Sequence, residues 1–292
     1  MPSVAQASPF QSSLALRDRA FAGAIWLAAA VVAGAFLWLV VDILAHGATK
    51  LDWSFVTSDP RSSGRSGGIA PIIVSTVLIV VVAVVVAAPM GLATAVLLSE
   101  FTRQGGVFGH TVGLSLDVLA GVPSIVFGLF GNAFFSVWLG LGFSILSGGL
   151  TLACMILPLL IRTAESGLRT VPNDWRLGAS ALGLSRATAL RVILIPAAAP
   201  ALVAGIVLGV GRAMAETAAL VFTSGYVDRM PSSLFDSGRS ISIHIYDLTM
   251  NVAGGDANAY ASALVLITLL ILINGVAIAL TDRVLYRKIT LT

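Results

Sequence analysis

The sequence predicts an all-α, polytopic membrane protein with about six transmembrane helices. Of its 292 residues, 57% are hydrophobic and only 11% are charged, whereas soluble domains contain about 25% charged residues. The mean hydropathy is +0.97, and several apolar runs reach the roughly 20 residues that cross a bilayer. Because 17 basic and 14 acidic side chains cannot cover a water-soluble protein of this length, most of the outer surface must contact lipid or another protein.

The first two apolar runs are predicted to be spans. The first extends from Ala20 to about Ala45. It is longer than a signal-peptide core and no convincing cleavage site follows it, so we interpret it as a retained anchor. The second run, Ile69–Leu98, exceeds one bilayer thickness, and we expect it to tilt or to bend at Pro89.

A nearly continuous apolar region from Val107 to Ile161 is interrupted by glycines and by Pro123. We predict one broken span over 107–139, then a glycine-containing turn, then a span over 145–161. The last two spans are predicted at 197–222 and 261–281.

The distribution of Lys and Arg predicts the orientation of these spans. The loops on the side of the N-terminus contain eleven basic residues, and the opposite loops contain five. With an even number of spans, both termini are then expected to be cytoplasmic. The predicted segments are a cytoplasmic tail at 1–19, the first span with an external loop at 20–68, a cytoplasmic loop at 162–196, an external loop at 223–260 and a cytoplasmic tail at 283–292.

Several familiar kinds of site lack their motifs in this sequence. The single cysteine, Cys154, excludes an internal disulfide and a multi-cysteine metal site, and the three histidines lack metal-ligand spacing. There is no Gly-x-x-x-x-Gly-Lys-Ser/Thr phosphate loop and no familiar hydrolase motif. We therefore expect no enzyme activity, no bound cofactor, no metal site and no nucleic-acid partner for this chain.

Two charged residues, Arg212 and Glu216, lie within the predicted span over 197–222. Their spacing of four residues predicts that they share one helical face, and an ionised side chain inside a bilayer costs at least a few kcal/mol. Two interpretations remain open: the pair lines a transport pathway, or it is a structural ion pair. In a pathway, Arg212 would attract an anion and Glu216 would keep it from binding too tightly.

Pro123 and Ser124 predict the start of a helix within the broken span. Because N-terminal N–H groups of helices attract anions, these residues are a second candidate for the pathway, with a purely structural helix start as the alternative. Asp117, which precedes the break, is expected to be solvated at the cytoplasmic edge, with a gating role as the alternative.

The cytoplasmic loop is predicted to contain a helix and a turn. Gly183 is suited to ending a helix in the left-handed conformation, and Pro196 to beginning the next span. Such a helix–turn–helix is suited to inserting into a groove on a soluble partner, with an ordinary basic loop as the alternative. The candidate contact residues are Arg176, Leu177, Gly178, Ala179, Ala181, Leu182, Gly183, Leu184, Ser185 and Arg186.

This loop resembles the coupling loop of ABC-importer permeases, whose pattern is Glu-Ala-Ala, three residues, Gly, nine residues, Ile-any-Leu-Pro. The matching residues are Ala179, Gly183, Ile193 and Pro196. Leu177 and Gly178 stand where the pattern has Glu and the first Ala, and Ile195 takes the place of its Leu.

Two further segments, Leu119–Gly131 and Gly211–Ala219, resemble the phosphate-transport permeases of the PstA type. In that family a Gly usually precedes the glutamate of the second segment and a Pro follows its Thr-Ala, where this chain has Ala215 and Ala219. The three segments occur in the same order as in the family, and the resemblance extends from Ile69 onwards.

The resemblance implies a type I ABC-importer permease fold over residues 69–282 and a multi-pass location in the bacterial cytoplasmic (inner) membrane. It also implies the permease function of an ATP-driven inorganic phosphate importer. The implied partners are a homologous PstC-like permease, two cytoplasmic PstB-like ATPase subunits that use ATP and Mg, an external PstS-like phosphate-binding protein, the phosphate ion and membrane lipid. Sulfate or molybdate import and a scaffold role in phosphate-status signalling are the alternatives.

Overall fold

A computed structural model describes residues 9–103 and 106–289 of the protein, with side-chain surroundings described between residues 18 and 279. Within this part of the chain, five helices are long and apolar enough to cross a membrane, and a bent pair of helices is a sixth candidate. In chain order they are Asp18–Gly47, Ala70–Phe101, the pair Val107–Gly121 and Ser124–Trp138, Ile145–Thr170, Arg186–Ala215 and Asp256–Ala279.

Helix α1 (Pro9–Gly47) leaves its apolar surface exposed. None of its most apolar stretch is buried within this chain, and it contacts α12 (Asp256–Ile289) near its own end, where Gly47 packs on the backbone of Tyr260. Because α1 begins at Pro9, most of the predicted tail 1–19 is helical. Residues 1–8 lie outside the described residues. The predicted tail 283–292 likewise continues α12 as far as Ile289, and residues 290–292 lie outside.

Three helices form the centre of the bundle: α3 (Ala70–Val96), α6 (Ile145–Thr170) and α9 (Ile195–Ala215). Their backbones approach closely where a side chain is missing, since Gly149 of α6 lies against α3 and Gly167 of α6 lies against α9. Small residues at such contacts are what hold membrane helices together. The buried core between these helices includes Ile79, Leu152, Ile156 and Val210.

The broken span consists of α4 (Val107–Gly121) and α5 (Ser124–Gly131), which a π-helical turn, Asn132–Trp138, extends. The two parts meet at an angle of 98°. The predicted helix start at Ser124 is confirmed, because Pro123 has an extended backbone with φ −59° and ψ 142°.

Contacts with α6 place the two parts of the broken span at different levels of the bundle. Gly113 of α4 lies against Arg162, and Gly131 at the end of α5 lies against Thr151. Arg162 and Thr151 are separated by about 16 Å along the α6 axis, at 1.5 Å per residue. The bent pair therefore advances along α6 instead of returning to its starting side, which agrees with the predicted count of six spans.

The predicted loop 162–196 is shorter than expected. Helix α6 continues to Thr170, α7 (Asn173–Ala181) follows, and helical structure then runs without interruption over Arg186–Ala215. This last stretch consists of α8 (Arg186–Ala189), a π-helical turn (Leu190–Leu194) and α9.

Pro196 is the second residue of α9, as predicted, but the helical stretch that contains it already begins at Arg186. The preceding turn explains how the helix tolerates it. The Ile195 N–H donates to the Leu190 carbonyl, five residues back, and this wider turn makes room for a residue that lacks an N–H and whose ring crowds the preceding turn.

The opposite end of the bundle carries a cap of short elements. It contains α2 (Trp53–Thr57), an antiparallel hairpin of β1 (Pro60–Arg61) and β2 (Ser66–Gly67), and α11 (Ile241–Met250). We call this end of the bundle the α11 end. The predicted external segment 223–260 is thus partly helical, and α12 begins at Asp256 instead of the predicted residue 261.

Candidate functional site

The helix that carries Arg212 ends before Glu216. Helix α9 stops at Ala215, and the backbone of Glu216 is extended, with φ −77° and ψ 127°. The short helix α10 (Ala218–Val221) follows. The predicted placement of Arg212 and Glu216 on one helical face is therefore wrong, and in the part of the chain that the structure describes no ion pair joins them.

Glu216 instead forms two hydrogen bonds around this break, where backbone groups at a helix end would otherwise be left unsatisfied. Its Oε1 accepts a hydrogen bond from the Ala219 N–H at 3.4 Å, at the start of α10. Its carbonyl oxygen accepts one from the Ser242 hydroxyl at 2.6 Å. Because Ser242 lies in the first turn of α11, the break is tied directly to the α11 end.

Arg212 lies in the last turn of α9, and its side chain is exposed on the surface of this chain. It forms no ion pair or hydrogen bond with any residue that the structure describes. The negative end of the helix dipole offsets part of its charge. The rest of the cost of a cation in an apolar span has to be met by water, an anion or a neighbouring subunit.

The two segments singled out for their family resemblance pack against each other. A Cβ added to Gly128 of α5 would lie 2.9 Å from the Ala219 Cα of α10, so at this contact only a glycine fits without a shift. The helix that begins at Ser124 and the helix that follows Glu216 are therefore neighbours. The structure brings the Pro123–Ser124 start and the Glu216 break into adjacent elements.

Asp117 is 63% exposed, as expected for a solvated acid, and it is also paired. The Arg162 Nη2 lies 2.6 Å from its Oδ1, and the same nitrogen donates to the Gly113 carbonyl at 2.7 Å. The other side of the Arg162 guanidinium reaches Glu165, which also pairs with Arg169 at 2.9 Å. These contacts tie α4 to α6 near the end of the bundle where α7 lies.

Helix α7 and its turn form as the sequence predicts. Gly183 follows the helix with φ +71°, the left-handed region in which a side chain is strained. Ser185 then caps α8 by accepting a hydrogen bond from the Thr188 N–H at 3.2 Å. The result is a compact helix–turn–helix at one end of the bundle.

The exposed part of this unit is largely apolar. The exposed large side chains are Trp175 at 50%, Leu177 at 60%, Leu182 at 79% and Leu184 at 37%. Gly178, Ala181, Gly183, Ser185 and Arg186 are exposed as well.

Two of the predicted contact residues face inward. Ala179 is only 4% exposed, since it lies on the side of α7 that packs on the bundle. Arg176 forms a bidentate ion pair with Glu100, at 2.6 and 3.1 Å. The hydrogen-bonded Glu100 carboxylate raises the pKa of the Arg176 guanidinium. Both side chains pack within this chain, with Arg176 still 25% exposed, and their role as contact residues stays a prediction.

Glu100 was not predicted as a functional residue. It lies two residues beyond the apolar run Ile69–Leu98, where a charge is also expected simply because the chain leaves the bilayer. Its partner Arg176 is 76 residues away in the chain, and no sequence periodicity links the two positions.

A buried polar cluster at the α11 end was also not predicted. Arg239 Nη1 lies 3.1 Å from Asp247 Oδ2, and its Nε donates to the Tyr226 carbonyl at 2.8 Å. His244 beside them is completely buried. Burial, together with the positive charge of Arg239, lowers the pKa of His244 to about 4, so the imidazole is neutral near pH 7.

Among the described residues, no group of three or more His, Cys, Asp or Glu side chains is arranged to hold a metal ion.

Comparison with known proteins agrees with this architecture. Residues 87–289 match the family described as binding-protein-dependent transport system inner membrane component. The chain is 33% identical over 230 residues to the phosphate transport system permease protein PstA 2 of Mycobacterium bovis, covering 77% of this chain and 75% of that protein. It is 28% identical over 291 residues to the probable ABC transporter permease protein YqgI of Bacillus subtilis, covering 94% and 98%.

Solved structures with the same fold include two ABC transporters. An inward-facing MetNI methionine transporter superposes with a TM-score of 0.59 at 18% identity, covering 74% of this chain and 95% of that chain. A bacterial transporter involved in import of the polysaccharide alginate gives a TM-score of 0.59 at 15% identity, covering 91% and 99%. The chain belongs to the binding-protein-dependent transport system inner membrane components, as a multi-pass, PstA-type permease subunit of an ABC importer.

Proposed function

We propose that this chain is the permease of an ATP-driven inorganic phosphate importer and that Arg212 lies on the ion pathway. The observation that carries the proposal is that Arg212 lies in an apolar span, exposed and without a partner among the described residues. Its relatives named as phosphate transport permeases support the choice of ion. A second, homologous permease would cover the exposed face and complete the pathway.

The charges around the break suit transient binding of an oxyanion. A guanidinium offers a positive charge and several N–H donors to phosphate oxygens. Glu216 lies four residues further on and would add a negative charge, although its carboxylate also accepts the Ala219 N–H. Pro123 and Ser124 start the neighbouring helix α5, whose first N–H groups would supply further donors to an anion.

Coupling to ATP hydrolysis is proposed to occur through the helix–turn–helix formed by α7 and α8. Its exposed residues Leu177, Leu182 and Leu184 form an apolar surface that a cytoplasmic ATPase subunit would bury. ATP and Mg would be bound by two such subunits and not by this chain. Because Leu177 replaces the acid of the family pattern, this contact would rely on apolar burial at that position.

The same proposal places the α11 end on the external side, where a phosphate-binding protein would deliver the ion, and the termini in the cytoplasm. The excess of basic residues in the loops beside α7 supports this orientation. ATP-driven movement of the motor subunits would then shift the permease between two arrangements, one open to each side.

Reconstitution of the complete complex in lipid vesicles tests the function. With ATP on the motor side and the binding protein on the other, phosphate should accumulate in an ATP-dependent manner, and sulfate or molybdate in excess should not compete. Equal transport of all three oxyanions would contradict the assignment of phosphate. A complex that assembles but transports none of them would favour a scaffold role in signalling.

A further inference from the structure

Arg176 ties helix α7 to two other parts of the bundle at once. It binds both oxygens of the Glu100 carboxylate. Glu100 lies in a π-helical turn, Leu97–Phe101, which continues α3 to form one span, Ala70–Phe101, called the α3 span. The remaining donors of Arg176 reach the carbonyls of Val171 at 2.8 Å and Leu168 at 2.9 Å, where α6 ends. A single side chain thus fixes α7 against the end of α3 and against the end of α6.

The geometry of this ion pair is suited to transmitting force. The side chains of Arg176 and Glu100 are only 25% and 15% exposed, so water screens them less than it screens a surface pair. Two parallel hydrogen bonds from a planar guanidinium to a carboxylate also fix orientation, which a single contact would not. In addition, the Arg169 Nη2 donates to the Leu98 carbonyl at 3.1 Å, so a second arginine holds the same end of the α3 span.

The other end of α3 is tied to the break at Glu216. The Thr76 hydroxyl of α3 accepts a hydrogen bond from the Ile241 N–H at 2.9 Å, at the start of α11. The next residue, Ser242, donates to the Glu216 carbonyl. From Thr76 to Glu100 the helical span is about 36 Å long at 1.5 Å per residue. One helical span therefore connects the α7 contact with the residues around the break.

We infer that the Glu100–Arg176 ion pair passes movement of α7 to α3, and that α3 carries this movement to the break at Glu216. Glu100 and Arg176 are then positioning residues for ATP-driven transport and do not contact the ion. This inference rests on the proposed docking of an ATPase subunit on α7. A merely structural role of the pair predicts loss of assembly, whereas a transmitting role predicts ATP hydrolysis without transport.

The first test measures the number of ions transported per ATP hydrolysed by the reconstituted complex. Glu100→Gln and Arg176→Gln should each lower this ratio severalfold in complexes assembled to the wild-type level. The double variant should be no worse than either single variant, because both remove the same link. The matched control is Asp256→Asn, an exposed acid at the opposite end of the bundle, which should keep the wild-type ratio. Unchanged ratios in the single variants, or effects that multiply in the double variant, would overturn the inference.

A second measurement does not depend on which ion is transported. In a Cys154→Ala background, spin labels replace Asn173 of α7 and Val85, which is 65% exposed on α3. If the pair links the two helices, the distance between the two labels is the same in the ATP-free and the ATP-trapped wild-type complex. In Glu100→Gln, this distance changes between the two states or its distribution becomes broader. A separation that stays constant in the variant would overturn the inference, whereas failure of wild-type phosphate uptake alone would overturn only the proposed substrate.

Discussion

The backbones of Gly128 in α5 and Ala219 in α10 are in direct contact. A Cβ on Gly128 would lie 2.9 Å from the Ala219 Cα and 3.1 Å from its carbonyl oxygen. Since the obstructing atoms are backbone, they cannot rotate away as a flexible side chain would. This contact holds the second half of the broken span against the element that follows Glu216.

Substitution of Gly128 by alanine is therefore predicted to destabilise the complex. Overpacking of this kind costs about 1–3 kcal/mol, which should appear as a lower midpoint of thermal unfolding in detergent. Gly121→Ala is the matched control, because a Cβ at that position would meet nothing within 4 Å apart from its chain neighbours and the backbone of its own helix. Equal unfolding midpoints for the two variants would contradict the account of this contact.

Gly183 is predicted to be necessary for the stability of α7. Its φ of +71° costs about 1–2 kcal/mol for a residue with a side chain, so Gly183→Ala should increase amide hydrogen exchange across Asn173–Ala181 by about tenfold. Gly178→Ala should have the opposite effect, since that glycine lies in the helix with open space around it and alanine favours helix. Slower exchange in Gly183→Ala would disprove the proposed role.

The α11 end is predicted to lose stability in acid because of His244. The folded state lowers the pKa of His244 from 6.5 to about 4, so between these values the unfolded chain binds more protons than the folded one. The contribution of the neutral, buried imidazole is complete above about pH 6.5 and is lost as the pH falls towards 4. The charged groups beside it are Arg239, which favours the neutral form, and Asp247, which opposes it.

Unfolding midpoints measured from pH 7.5 to pH 4.5 check this prediction. His244→Gln should flatten the acid limb of the profile, although its midpoint at neutral pH should also fall because the side chain is buried. His46→Gln serves as the control, since the His46 side chain is 61% exposed. An acid limb that is equally steep in His244→Gln would show that other groups cause the acid sensitivity.

The spans were predictable from the sequence because each depends on local composition. A run of apolar residues is long enough to cross a bilayer wherever it occurs, and the start at Ser124 and the turn at Gly183 follow from the backbone preferences of single residues. The ends of the helices were less predictable. Helix α6 continues past the predicted end at Ile161 to Thr170, because paired charges such as Arg162 and Glu165 can lie on a helix that leaves the membrane.

The relationships within the candidate site were not predictable, because they depend on tertiary contacts. The break at Glu216 contains no proline or glycine, and it is stabilised by Ser242, which lies 26 residues further along the chain. The inward orientation of Arg176 depends on Glu100, 76 residues before it. A spacing of four residues predicted one helical face for Arg212 and Glu216 only on the assumption that the helix was continuous.

Uptake of phosphate by a complex that carries Arg212→Gln is the most direct test of the proposed pathway. ATP-dependent accumulation of radiolabelled phosphate is measured in vesicles that contain equal amounts of assembled wild-type or variant complex. The variant should lose almost all uptake, because glutamine has no charge to bind an anion, and Arg212→Lys should retain part of it. Uptake by Arg212→Gln at the wild-type rate would show that Arg212 does not lie on the ion pathway.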